Sequence, residues 1–158
     1  MNINEYEIST DKNRLDVAMI HEYLSNRSYW AKGIPFEVVR KSIENALCFG
    51  MYHQGRQIGF ARVITDRATM AYVADVFIIE SRRGKGLGKG LVKAIMDHPD
   101  LAGLRLWLLG TKDAHELYRK YGFQKLTETQ VLDRFMVIRN PDAYIQGQQP
   151  GPPPAGRG

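Results

Sequence analysis

Cysteine is almost absent from this chain. The single Cys48 excludes an internal disulfide and suits a reducing compartment, so a cytoplasmic location is expected. Long apolar runs are missing as well. No stretch approaches the ~20 residues of a membrane helix and no signal-peptide core follows Met1, so no membrane association is expected. The four histidines, at 21, 53, 98 and 115, show no ligand spacing, and no metal site is expected. Net charge is +5, but basic residues cluster only at 82–89 and are mixed with acidic ones elsewhere, which argues against a nucleic-acid surface. Internal repeats are absent.

What is present is an ordinary globular composition, 44% hydrophobic and 25% charged, in 158 residues. Folding a chain of this size buries roughly 70% of its unfolded surface. Residues 1–145 read as one domain. The tail 146–158 is almost wholly Gln, Gly and Pro, cannot offset its ordering entropy by burial, and is expected to be disordered.

The most informative stretch is Asp75-Val-Phe-Ile-Ile-Glu-Ser-Arg-Arg-Gly-Lys-Gly-Leu-Gly-Lys-Gly-Leu-Val92. An apolar strand enters a loop with glycines at 84, 86, 88 and 90 and cations at Arg82, Arg83, Lys85 and Lys89. An amphipathic helix follows at once, with Leu87, Leu91, Ala94 and Ile95 on one face. Glycines let a backbone approach a ligand closely, and the free N–H groups of a helix start favour a phosphate. Neither common nucleotide motif fits. Walker A fails because Arg83 stands five residues before Gly88-Lys89 and Gly90 follows it. The dinucleotide fingerprint fails at Lys89 and Leu91.

Elsewhere, Tyr6–Ser9 reads as a short strand and Asn13–Leu24 as a helix with Asn13 as its N-cap. After a non-periodic loop, Phe36, Val39, Ile43 and Leu47 mark a second helix opened by Pro35. Leu47–His53 and Arg56–Asp66 flank Gln54-Gly55 as a hairpin, and Met70–Ile79 feeds the glycine loop. Helix 86–98, strand Leu104–Leu109 and a short helix Asp113–Tyr121 follow, the last with Asp113 and Glu116 as a capping pair. Phe123–Leu126 and Val131–Arg139 are expected as two final strands.

The segment Arg83-x-x-Gly86-x-Gly88 resembles the pyrophosphate-arm motif of the GNAT N-acetyltransferase superfamily. A second stretch, Ala114-His-Glu-Leu-Tyr-Arg-Lys-Tyr-Gly-Phe123, is similar to that family's pattern Ala-x-x-Leu-Tyr-x-x-x-Gly-Phe. The element order resembles the family over residues ~5–139. The fold so implied is α/β (α+β): a mixed, mostly antiparallel sheet of about seven strands flanked by about four helices, with strands four and five splayed.

The resemblance further implies an acetyl-CoA-dependent N-acetyltransferase acting on a primary amine, directly and without an acyl-enzyme. Acetyl-CoA would be held by Arg83, Gly84, Lys85, Gly86, Leu87, Gly88 and Lys89 at its pyrophosphate. Its pantetheine arm would pair with the strand edge Val76, Phe77 and Ile78, where a bulge is expected within Asp75–Glu80. Thr111, Ala114 and Tyr118 complete the cofactor set. The acyl oxygen would lie near an N–H of Val76 or Phe77. Tyr118 is the implied general acid, since an unperturbed phenol stays protonated at neutral pH. Asp75 is either a general base or a structural carboxylate satisfied by backbone donors or an arginine. Tyr29 and Trp30 either wall the acceptor site or cap the core, and Arg134 would bind an acceptor carboxylate or face solvent. The acceptor is expected to be a small molecule, and homodimers are frequent in the family. The alternatives are a catalytically silent CoA-binding module and a transferase of another acyl group. Cys48 falls in a strand and is expected to be a core thiol.

Overall fold

The computed structural model describes residues 5–145. The expected tail from 146 onward lies outside them. A five-stranded sheet runs in chain order: β1 Tyr6–Ser9, β2 Leu47–His53, β3 Arg56–Thr65, β4 Met70–Ile78 and β5 Leu106–Leu109. The first four strands pair antiparallel, and β5 lies parallel to β4. Four helices flank it: α1 Val17–Glu22, continued by a wider turn Tyr23–Arg27; α2 Phe36–Glu44; α3 Leu87–Met96; and α4 His115–Arg119.

Strand alternation sorts the core into two layers. On one face Phe49, Met51, Val63 and Val73 meet the apolar stripe Leu87, Leu91 and Ile95 of α3. On the other, Cys48, Phe60 and Phe77 pack under Ile20, Tyr23 and Leu24 from the first helix and Val39 and Ile43 from α2. β2 is covered on both faces, which is why its sequence is apolar almost throughout. The hairpin turn has positive φ at both Gln54 and Gly55 (49° and 77°), the I′ geometry that matches strand twist.

The expected sheet of about seven strands has five among the described residues. Residues 123–126 and 131–139 form no strand; instead 3₁₀ turns occupy Leu126–Glu128 and Leu132–Arg134. The reason is local. Two guanidinium nitrogens of Arg119 grip the Glu128 carboxylate at 2.9 and 2.7 Å, tying that turn to α4, and Thr129 bonds back to the Leu126 carbonyl.

Two helix starts also shift. α1 begins at Val17 with Asp16 accepting from the Met19 N–H, because Leu15 is extended and separates it from the Asn13 turn. At α4 the expected Asp113–Glu116 capping pair does not form: the N-cap is Ala114, without a side-chain cap, and its N–H donates to the Thr111 hydroxyl at 3.0 Å in the preceding turn.

Candidate functional site: a cleft between β4 and β5

β5 follows β4 only from Met70–Leu106 to Val73–Leu109. Beyond Val73, β4 continues alone to Ile78. The cause lies in the pairing with β3: Phe60 faces Phe77 and Arg62 faces Ala74, so Ala61 opposes both Asp75 and Val76. This bulge puts Asp75 at φ 53°, a left-handed conformation that aspartate tolerates better than most side chains. The expected bulge thus falls at Asp75. After it, the Ile79 N–H donates to the Ile58 carbonyl at 2.9 Å. Antiparallel alternation then turns Phe77 toward β3 and leaves the N–H and C=O groups of Val76 and Ile78 on the free edge.

Asp75 is held from two sides. Its Oδ1 accepts from Trp30 Nε1 at 2.9 Å and its Oδ2 from Arg62 Nε at 2.8 Å. Both partners of the ion pair are largely buried. The geometry therefore supplies the arginine that the structural reading of Asp75 requires, with an indole besides.

Beside the free edge opens a cleft of about 530 Å³, lined by Val76, Phe77, Ile78, by Arg83, Gly84, Gly86, Leu87 and Gly88 of the loop, and by Ala114, Tyr118, Tyr29 and Trp30. The loop's glycines have separate reasons. Gly84 and Gly86 take φ of 79° and 75°, the left-handed region. Gly88 is helical, and a Cβ there would meet nothing within 4 Å. No side chain of the protein requires glycine at 88, and the surface above the helix start there is open. The first bond closing α3 is Gly90 N–H to Gly86 C=O, so the N–H groups of Leu87, Gly88 and Lys89 remain for an anion. These residues fit a pyrophosphate.

Tyr118 lines the inner end of the cleft and is only 7% exposed, edge-on to Phe123. Burial pushes its phenol up to about 12, and the neighbouring Tyr29 adds to the shift. Tyr29 bridges the cleft: its hydroxyl accepts from the Lys112 N–H at 2.9 Å, and its ring meets Trp30 edge-on.

Other expected residues are placed less directly. Arg83 is anchored, its Nε donating to the Ile78 carbonyl at 3.0 Å and its terminal nitrogen to the Tyr23 hydroxyl. Lys85 and Lys89 are exposed at the rim. Thr111 accepts from the Ala114 N–H in the turn before α4, outside the cleft lining, and Arg134 lies exposed in a 3₁₀ turn that does not line it. Cys48 is buried in the helix-covered layer, with its thiol pushed up to about 11 by burial.

Three residues were not legible as site residues. Tyr23 stacks on Phe77 at 3.8 Å, and Arg27 lies over Tyr23 while pairing with Glu80 at 2.7 Å. Tyr23 falls in the expected first helix, whereas Arg27 falls in the expected loop and is brought beside it by the wider turn Tyr23–Arg27. Arg62 was hidden, because its meeting with Asp75 depends on the bulge.

A mixed sheet that opens at a bulge, beside a glycine loop starting a helix, leaves a cleft with free backbone N–H groups at one end, room enough for an extended phosphorylated ligand. The family profile described as "Acetyltransferase (GNAT) domain" matches residues 44–125. A candidate acetyltransferase of Gibberella zeae is 27% identical over 147 residues, covering 78% of this chain and 82% of its own length. The crystal structure of a candidate GNAT-family acetyltransferase from Xanthomonas campestris pv. campestris superposes with a TM-score of 0.84 at 45% identity, covering 89% of this chain and 96% of that one. A Staphylococcus aureus protein described as a probable acetyltransferase shares the fold at 23% identity and a TM-score of 0.67, over 85% and 99% of the two chains. The chain belongs to the GNAT acetyltransferase family. That family uses acetyl-CoA.

Proposed function

We propose that the protein transfers an acetyl group from acetyl-CoA directly to the primary amine of a small molecule. The observation that carries this reading is the Asp75 bulge. It frees the Val76 and Ile78 edge opposite Tyr118, in one cleft with the glycine loop.

Acetyl-CoA supplies an activated acetyl thioester when bound. The N–H groups of Leu87 to Lys89 hold its pyrophosphate, with Lys85 and Lys89 adding long-range attraction. The free edge of Val76 and Ile78 orients the pantetheine arm, and the Val76 N–H stabilises charge developing on the acyl oxygen. The Ile78 carbonyl is occupied by Arg83 Nε, which leaves the Val76 carbonyl and the Ile78 N–H for the pantetheine amides. The neutral amine forms the new C–N bond as the C–S bond breaks. Tyr118 gives its proton to the departing sulfur and regains one, through water, from the amine nitrogen.

Asp75 acts as a positioning residue that keeps the bulge open, its oxygens engaged by Arg62 and Trp30. The test is thiol release from acetyl-CoA with a panel of amines. Amine-dependent release with sequential kinetics supports the reading; release that never depends on an amine opposes it.

A further inference from the structure

The sheet face that α1 and α2 cover is not covered to its end. Ile64 on β3 pairs directly with Tyr72 on β4, and Tyr72 with Leu108 on β5, so all three share a face; Met70 and Leu106 make the next row. That face is the one carrying Arg62, Cys48 and Ala74. Ile64, Met70 and Tyr72 are 46%, 37% and 39% exposed, an apolar shelf open to solvent. It adjoins the donor cleft through Trp30, which lines that cleft and bonds to Asp75, next in sequence to Ala74.

The shelf's dimensions identify its occupant's size. Two interstrand spacings make it about 10 Å wide, and two residues along a strand make it about 7 Å long. That is the footprint of one small ring system, far below the ~800 Å² per partner of a stable protein interface.

Its charge identifies the occupant's chemistry. Asp75 is neutralised by Arg62. The carboxylate at the shelf's other end, Asp66, is consumed by the N–H groups of Ala68, Thr69 and Met70 and by the Thr69 hydroxyl. A polycationic amine therefore finds no free carboxylate on the shelf, whereas an apolar body finds a continuous surface ending at the cleft.

We infer that the acceptor amine is carried on a flat aromatic or branched-alkyl body that lies on Ile64 and Tyr72, with Trp30 at its inner end. This rests on the N-acetyltransfer reading of the cleft and narrows its substrate class.

The test is a calorimetric titration of 2-phenylethylamine, ethanolamine and spermidine into the full chain saturated with CoA. The inference expects 2-phenylethylamine to bind at least about tenfold tighter than the other two. Ile64→Ser and Tyr72→Ser, both at exposed positions, should each weaken it about tenfold and leave acetyl-CoA affinity unchanged. Thiol release with the three amines should follow the same order. Equal or tighter binding of ethanolamine or spermidine, no binding of any of the three, or indifference to both variants overturns it. A separate acetyl-CoA titration distinguishes the failures. Acetyl-CoA binding without the amine preference defeats this inference alone, and no acetyl-CoA binding defeats the donor assignment and this inference with it.

Discussion

Trp30 Nε1 donates to Asp75 Oδ1 at 2.9 Å, tying the loop after the first helix to the bulge of β4. The other oxygen of Asp75 is ion-paired with Arg62 on β3. One carboxylate thus joins three separate segments at the point where the sheet opens. A local conformational irregularity is fixed by contacts distant in sequence, and the opening of the sheet beside it depends on it.

Replacing Asp75 separates positioning from base catalysis. Asp75→Ala leaves the mostly buried Arg62 charge unpaired and should destabilise the fold by an amount near the low end of about 3–5 kcal/mol, read from denaturant titration. Asp75→Asn retains an acceptor oxygen and tolerates positive φ. It should lower kcat and acetyl-CoA affinity together, with an unchanged pH profile. A loss confined to kcat, with a displaced rising limb, would instead mark Asp75 as the base.

Tyr118→Phe should lower kcat by roughly 10²–10⁴ while acetyl-CoA affinity stays within about twofold. The pH dependence follows from burial. The phenol is raised from 10.0 to about 12, so it stays protonated below its unfolded value. The wild-type rate should therefore show no alkaline fall from this group below about pH 10. Stability runs in the same sense: above about pH 10 the unfolded phenol ionises while the folded one remains neutral, so stability falls as pH rises toward 12.

Gly88→Ala should move stability and affinity in opposite directions. The added methyl meets nothing of the protein, and alanine is favoured over helical glycine by about 0.5–1 kcal/mol. Thermal stability should hold or rise while acetyl-CoA binding weakens at least tenfold. Gly86→Ala, at φ 75°, should cost about 1–2 kcal/mol as well as affinity. Unchanged affinity in Gly88→Ala would remove the helix start from the donor site.

Cys48 should prove inert. With its thiol buried and raised to about 11, it should resist a disulfide reagent in the native protein and react only on unfolding. Cys48→Ala should retain turnover. Rapid native labelling together with ping-pong kinetics would contradict direct transfer.

Much of the candidate site's geometry is legible in the sequence because it is local. The glycine loop, the strand before it and the helix after it are contiguous, so residues 75–92 announced their geometry together. The hairpin turn was equally local. The Asp75–Arg62 pair was not, since it depends on a bulge offset between strands; a regular ladder would not have put two β4 residues opposite Ala61. The last strands were misjudged for a related reason. Val131 to Arg139 carries a strand-like apolar pattern, but Leu132–Arg134 turns, and the Arg119–Glu128 fork holds the preceding segment to α4. Tyr23 falls in the expected first helix and Arg27 in the non-periodic loop after it; both line the cleft, because the helix continues through a wider turn to Arg27 and stacks Tyr23 on Phe77.

The most direct test of the central claim is a calorimetric titration of acetyl-CoA into the purified protein, with ATP as the control for phosphate binding alone. The account predicts one site per chain with a Kd on the order of micromolar, and ATP far weaker. No acetyl-CoA binding, or ATP binding as tightly, would contradict it.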